Sequence, residues 1–250
     1  MKTYRADLHV HTVLSPCADV EMIPPLIVDE ATTRGIRLLA ITDHNGTANI
    51  AAVQKAASAV RAEGSELTIL PGMELQTREE VHALCLFDTL EQAAALQAWV
   101  DARLPNTPNN PDFFGEQFVV DETGDFIRRE ERMLLNSVDA GLSEAYAYVN
   151  ALGGLFIPAH VNRPAYGLIQ VLGFLPDDIT FEALEISRHV KPEEARKKYP
   201  HVGQLPLIQN GDVHYLDDFL GGMLWQLETP TIAEIRLALR GDSGRGVRFC

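Results

Sequence analysis

At 250 residues, with 46% apolar and 22% charged side chains, the chain has the balance of a globular protein long enough to bury a substantial core. Its 35 acidic and 21 basic residues leave a net charge of −14, which disfavours broad contact with nucleic-acid backbones or anionic membranes. The polar start (Lys2–Asp7) lacks an apolar leader, no run approaches membrane-spanning length, and three scattered cysteines imply no disulfide framework, so a cytoplasmic setting is expected.

The first apolar run, Tyr4–Val10, carries Asp7-Leu8-His9-Val10-His11-Thr12. A strand alternates its faces, which puts Asp7, His9 and His11 on one side and Leu8 and Val10 on the other. A helix follows, entered through Pro24-Pro25 and closed by Gly35. The strand Arg37–Thr42 precedes an alanine-rich helix from about Thr47 to Glu63, ending at Gly64. Leu67–Leu70 and Val81–Phe87 read as strands and Leu90–Leu104 as a helix. Residues 105–136 are irregular and turn-rich, with a hairpin pattern of Gln117–Val120 and Phe126–Arg128 around Gly124. They read as a surface insertion in a single domain spanning 1–250; a lid over the pocket is the less favoured alternative. A helix over Ser143–Leu152 then leads to strands Gly154–Pro158, Phe181–Ile186 and Leu205–Asn210. This alternation predicts a largely parallel α/β sheet, either open or closed into a barrel.

The histidines and carboxylates fall at the ends of these strands: His9 and His11, Asp43-His44, Glu74, His82, His160, then Asp212 and His214. A lone buried histidine is more often a hydrogen-bonded core residue than a ligand. The same residue types at five strand ends are better explained by one metal cluster on a shared rim, where parallel barrels build their active sites. His189 and His201 lie in polar sequence and read as solvated, while Cys85 sits in an apolar run and reads as core.

In order and context, DLHVHT, ITDHN (Ile41–Asn45), Glu74, His82, PAH (Pro158–His160) and GDVH (Gly211–His214) resemble the motifs of the PHP (polymerase and histidinol phosphatase) superfamily. The resemblance implies a distorted TIM-like (β/α)7 barrel with two or three divalent ions, Zn, Mn or Fe, at the C-terminal rim of the strands. It implies His9, His11, Glu74 and Asp212 at a first ion, Glu74 bridging to a second held by His82 and His160, and His44 and His214 at a third. The implied activity is phosphoester hydrolysis by a metal-activated hydroxide, on a small phosphorylated metabolite or (oligo)nucleotide. Asp7 and Asp43 then read as carboxylates that orient the imidazoles.

The family's remaining ligand to the third ion comes from the loop after the first strand, here Leu14–Met22. Asp19 is favoured, then Glu21, then Cys17, because hard oxygen suits all three metals whereas a thiolate favours zinc. Arg163, three residues past His160, can clamp phosphate, with an ordinary surface arginine as the equal alternative. Asp43 or His214 can protonate the leaving group. An amidohydrolase-type metallohydrolase and a non-catalytic metal-binding module are the alternative functions. No membrane partner and no stable nucleic-acid complex are expected, which leaves short oligonucleotides open as substrates.

Overall fold

The computed structural model describes residues 1–61 and 66–250. Strand β1 (Lys2–Val10) leads through α1 (Pro24–Thr33) to β2 (Leu38–Ile41), then through α2 (Ile50–Arg61) to β3 (Thr68–Gln76) and β4 (His82–Leu86). The end of the second expected helix, at Glu63 and Gly64, lies outside the described residues. Helix α3 (Leu90–Asp101) starts at a Thr89–Gln92 capping box, which satisfies two backbone donors reciprocally. Next come the short α4 (Pro111–Phe114), β5 (Phe118–Val120) and β6 (Phe126–Arg129). The chain continues with α5 (Leu142–Ala151), β7 (Leu155–Pro158), α6 (Leu168–Leu172), β8 (Leu184–Ile186), α7 (Pro192–Lys198) and β9 (Leu207–Gln209). It closes with β10 (Met223–Leu227), α8 (Ile232–Arg240) and β11 (Gly246–Phe249).

Seven strands form one curled, half-barrel sheet in the order β11-β10-β1-β2-β3-β4-β7. The fold is mixed α/β, as expected, but the sheet is not largely parallel. Only β1–β2 and β2–β3 pair in parallel; β3–β4, β4–β7, β1–β10 and β10–β11 are antiparallel. The reason is local: residues 77–81 are too short a link for a parallel crossover, so β4 folds straight back on β3. Strands β8 and β9 form a separate parallel pair. Val161 N–H donates to Glu185 O (2.8 Å), tying the end of β7 to β8. The exchange His11 N to Val213 O (2.9 Å) and Val213 N to His9 O (3.0 Å) ties the segment after β9 to the end of β1. The strand ends bearing the histidines therefore meet.

Each central strand is buried on both faces. In β2, Leu38 and Ala40 enter an inner core with Leu84, Ile157 and Trp225, while Leu39 and Ile41 face an outer core with α1, α2 and α3 residues. Strand β1 departs from simple alternation. Its register against β2 slips by one residue between Asp7 and Val10, so Leu8 joins the inner core and Val10 the outer one. Such a bulge re-aims side chains at a strand end, here those of the histidines.

In the 105–136 stretch, β5 and β6 pair only with each other. Phe118 N–H donates to Val13 O (2.8 Å), and Asn49 bonds both Phe118 O (2.9 Å) and Val120 N (3.0 Å). Asn45 Nδ2 donates to Leu134 O (2.7 Å). The stretch thus braces the loop after β1 and the end of β2. Among the described residues no helix is long and apolar enough to cross a membrane.

Candidate metal centre

His9 and His11 leave the end of β1, His44 follows β2, Glu74 lies within β3 and His82 opens β4. His160 and Asp212 follow β7 and β9 with φ of +29° and +50°, a region that non-glycine residues seldom occupy outside functional sites. Gly211 precedes Asp212 because a Cβ there would stand 2.6 Å from Asp218 O and Val213 Cγ2.

Glu74 is the hub, 1% exposed. Its Oε1 lies 2.8 Å from His82 Nδ1, 3.0 Å from His160 Nε2 and 3.3 Å from His9 Nε2. Its Oε2 lies 3.0 Å from His44 Nδ1 and 3.3 Å from His11 Nε2. Asp212 Oδ1 stands 3.4 Å from His9 Nε2 and 3.6 Å from His11 Nε2. Three sets of donor atoms fall within 4.8 Å of one another: His9, His11, Glu74 and Asp212; His44, Glu74 and His82; and His11, His44 and His214.

The far nitrogen of several rings is already engaged, which identifies the near one as the lone pair. His9 Nδ1 faces both oxygens of Glu185 (3.2 and 3.1 Å), and His82 Nε2 faces Gln76 Oε1 (2.9 Å). His11 Nδ1 lies 2.9 Å from Ser15 Oγ, whose proton goes to Asp43, and His214 Nδ1 lies 2.9 Å from Asp212 O. His9 Nε2, His11 Nε2, His44 Nδ1, Glu74 Oε2 and His160 Nδ1 are buried without a hydrogen-bond partner. Buried polar atoms almost always have one. Five ring nitrogens crowd two carboxylate oxygens, and the chemistry that satisfies all of them is cation coordination. The residues fit divalent metal ions.

The electrostatics agree. Burial alone would push the Glu74 carboxyl up, but His82, His9 and His44 hold it well below the usual carboxylate range. Burial would push His9 down, yet Glu185, Glu74 and Asp212 hold it well above the usual histidine value. His11 is raised despite burial by Asp212 and Glu74. Burial and the neighbouring imidazoles lower His44 and His82 against the pull of Glu74, and burial with His11 pulls His214 to about 4. Neutral imidazoles are the ligand form.

The supporting residues differ in part from expectation. Glu185, 2% exposed in β8, orients His9, accepts His160 N–H (2.8 Å) and accepts Asn210 Nδ2–H (2.8 Å); sequence reading missed it. Asp7 serves the backbone instead. Its oxygens accept the N–H groups of Gly211 (2.9 Å), Leu220 (3.0 Å) and Gly221 (3.2 Å). Asp43 is fully buried, with its oxygens accepting from Thr12 and Ser15, so it supports His11 through Ser15. Arg163 stands at the rim and bonds Asp212. Asp19 and Glu21 belong to none of the clusters: Asp19 Oδ1 accepts Glu21 N–H (2.9 Å), and Glu21 is exposed. Cys17 instead lines a cavity of about 210 Å³ over the cluster, with His44, His82, His214, Arg163 and Tyr166. Tyr166 stacks on His82 with ring centroids 4.4 Å apart. A second cavity of about 260 Å³ adjoins it across Arg163 and Asp212, and the exposed His189 lies on its wall. His201 is exposed and Cys85 fully buried, as expected.

Residues 7–149 match the family model of the PHP domain. The chain belongs to the PHP family. His160, Asp212 and His214 lie beyond the matched residues, yet the fold returns them to the same centre. This PHP chain is 26% identical to the uncharacterized protein YqxK of Bacillus subtilis (strain 168), over 99% of its own length and 64% of that protein's. Among solved structures it resembles the lesion-specific endonuclease PfuEndoQ of Pyrococcus furiosus, with TM-score 0.71, 20% identity, and coverage of 98% of this chain and 58% of that one. It also resembles a candidate metal-dependent phosphoesterase from Bifidobacterium adolescentis, with TM-score 0.54, 19% identity, and coverage of 84% and 87%. The chain therefore spans less than two thirds of the first two proteins. A metal-dependent hydrolase of the PHP family is the function class these findings support.

Proposed function

We propose that the protein is a metal-dependent phosphoesterase whose substrate is a phosphate ester of a small metabolite or nucleotide. The observation that carries this reading is the set of buried, partnerless nitrogens of His9, His11 and His44 converging on Glu74. In this reading the chain is a distorted (β/α)7 barrel, completed by β8 and β9, with the ligands on its rim. His9, His11, Glu74 and Asp212 hold one ion, Glu74 with His82 and His160 a second, and His44 with His214 a third.

Bound ions would supply Lewis acidity toward a phosphoryl oxygen and lower the pKa of a water molecule. The protein's own groups do the rest. Glu74 spreads one negative charge between two positions, which keeps two cations close. Glu185, Ser15 and Gln76 fix the tautomers of His9, His11 and His82, so the rings need no reorganisation when substrate arrives. Arg163, released from Asp212, presents a planar donor fork to a phosphoryl group. Among the described residues no lysine lines the cavity over the cluster, and in this reading Glu74 takes the bridging position, which disfavours a carbamate-bridged amidohydrolase centre.

One observation favours a nucleic-acid substrate as a second reading. A second structure of the endonuclease Q fold, equally similar at TM-score 0.71, holds a 27-mer duplex with an abasic lesion at its active site. The net charge of −14 opposes extensive backbone contact by this chain. A panel of phosphomonoesters, phosphodiesters, short oligonucleotides and an abasic-site duplex, run with wild type and Glu74→Gln, tests both readings. Glu74-dependent phosphate release supports the first, Glu74-dependent strand cleavage alone the second, and activity indifferent to Glu74 refutes both.

A further inference from the structure

Between β7 and α6 the chain turns from His160 to Gly167, and this turn supplies two walls of the cavity over the cluster, Arg163 and Tyr166. Tyr166 has a φ of +61°. For so bulky a side chain that is a true outlier, and such strain persists only where the surroundings fix it. They do so here. Tyr166 O accepts His82 N–H (3.0 Å), which anchors the turn to the start of β4, and Arg163 N–H donates to His160 O (2.8 Å). Gly167 shows how tightly the turn is wound: a Cβ there would stand 2.5 Å from Arg163 O and 2.9 Å from His160 O.

The phenol ring lies on the imidazole of His82, with planes 8° apart and centroids 4.4 Å apart. One face is therefore covered by a buried residue, yet Tyr166 remains 38% exposed. Among the described residues no other ring stacks on it. A glycine would take this backbone conformation without strain. What it would lack is a flat apolar face at the mouth of the metal centre.

We propose that Tyr166 is the stacking platform for the substrate's leaving group, and that the preferred substrates are phosphate esters carrying a planar aromatic ring. The phosphoryl end sits at Arg163 and the ring lies on the face of Tyr166 turned away from His82. The inference rests on the phosphoesterase reading above and names the substrate class within it. Arg163 and Tyr166 come from one short turn, so clamp and platform keep a fixed spacing. Stacking tolerates changes of ring chemistry because every planar ring offers a π-face, so it admits a nucleobase or a simple arene. A sugar or polyol phosphate gains nothing from the platform.

Matched esters test this: AMP against ribose 5-phosphate, and benzyl phosphate against cyclohexylmethyl phosphate. Within each pair the ester is that of a primary alcohol, and the aromatic ring is the difference. In the wild type kcat/KM should favour the aromatic member. That ratio should fall about tenfold or more in Tyr166→Gly, mainly through KM, and persist in Tyr166→Phe, which keeps the face and loses the hydroxyl. A preference in the first pair alone assigns the face to a nucleobase, and in both pairs to arenes in general. A ratio that survives in Tyr166→Gly would overturn the platform and leave the phosphoesterase reading standing. So would an equal fall for both members of each pair, the mark of a ring that only buttresses His82. Calorimetry of benzylphosphonate and cyclohexylmethylphosphonate on the full chain with Mn²⁺ separates the two readings. Ring-selective binding that Tyr166→Gly abolishes, with no ester hydrolysed, would uphold the platform and refute phosphoesterase activity. Neither binding nor hydrolysis would refute both.

Discussion

Replacing Glu185 with Gln exchanges one carboxylate oxygen for an NH₂ group where every neighbour is a donor. Oε1 serves His9 Nδ1 and Asn210 Nδ2, and Oε2 serves His9 Nδ1 and His160 N. Whichever way the amide turns, one buried N–H loses its acceptor, a cost of about 1–3 kcal/mol. At this chain length that lowers Tm by roughly 2–4 °C per kcal/mol. The weaker hold on His9 also lowers ligand basicity, and loss of such a partner reduces metal affinity by about 10–100-fold. Chelator-competition titrations with Zn²⁺ measure the second effect and thermal melts the first, with Glu194→Gln on exposed α7 as control. A variant with lowered Tm and unchanged Zn²⁺ affinity would show that Glu185 only packs, and the role assigned to it here would be wrong.

Arg163→Ala should raise KM for phosphorylated substrates about tenfold or more with bound metal unchanged, and Arg163→Lys should restore it only in part, since a point charge replaces a fork; steady-state kinetics and metal content decide. His9 and His11 hold protons more tightly than free histidines because of the carboxylates around them, and metal must displace those protons. Apparent metal affinity should therefore fall as pH drops through and below about 7, and chelator competition across pH 6–8.5 should show no such slope if these rings do not bind metal. Asp7→Ala removes the acceptor of three N–H groups that close the loop from Gly211 to Gly221, and should cost about 2 kcal/mol or more in urea melts; a change within error would contradict this role.

The clustered histidines and carboxylates were legible because metal sites restrict residue type, and histidines at the ends of apolar strands are conspicuous. The helices were legible where a proline or glycine marks an end, as at Pro24 and Gly35. Glu185 was not, because in sequence it is one charged residue within the run Phe181–Ile186. Its role exists only because β8 lies beside the end of β7. The same reason hid the antiparallel half of the sheet: β10 returns beside β1 from more than two hundred residues away, and pairing at that separation leaves no local mark. Asp7 was misread because alternation assumes a regular strand, and the bulge after it sends Leu8 and Val10 to different cores. In the loop at Leu14–Met22, residue chemistry favoured a carboxylate. The backbone, turned at Pro16, instead puts Cys17 on the wall of the cavity over the cluster and leaves Asp19 bonded to Glu21 N–H.

The central claim is that the atoms around Glu74 are metal ligands. Elemental analysis of the purified full chain, beside Glu74→Gln, addresses it most directly. The account predicts about two to three equivalents of Zn, Mn or Fe per wild-type chain, the number a multi-metal hydrolase uses, and loss of at least one equivalent in a folded Glu74→Gln. Substoichiometric metal in the wild type that stays so after incubation with each ion would contradict it.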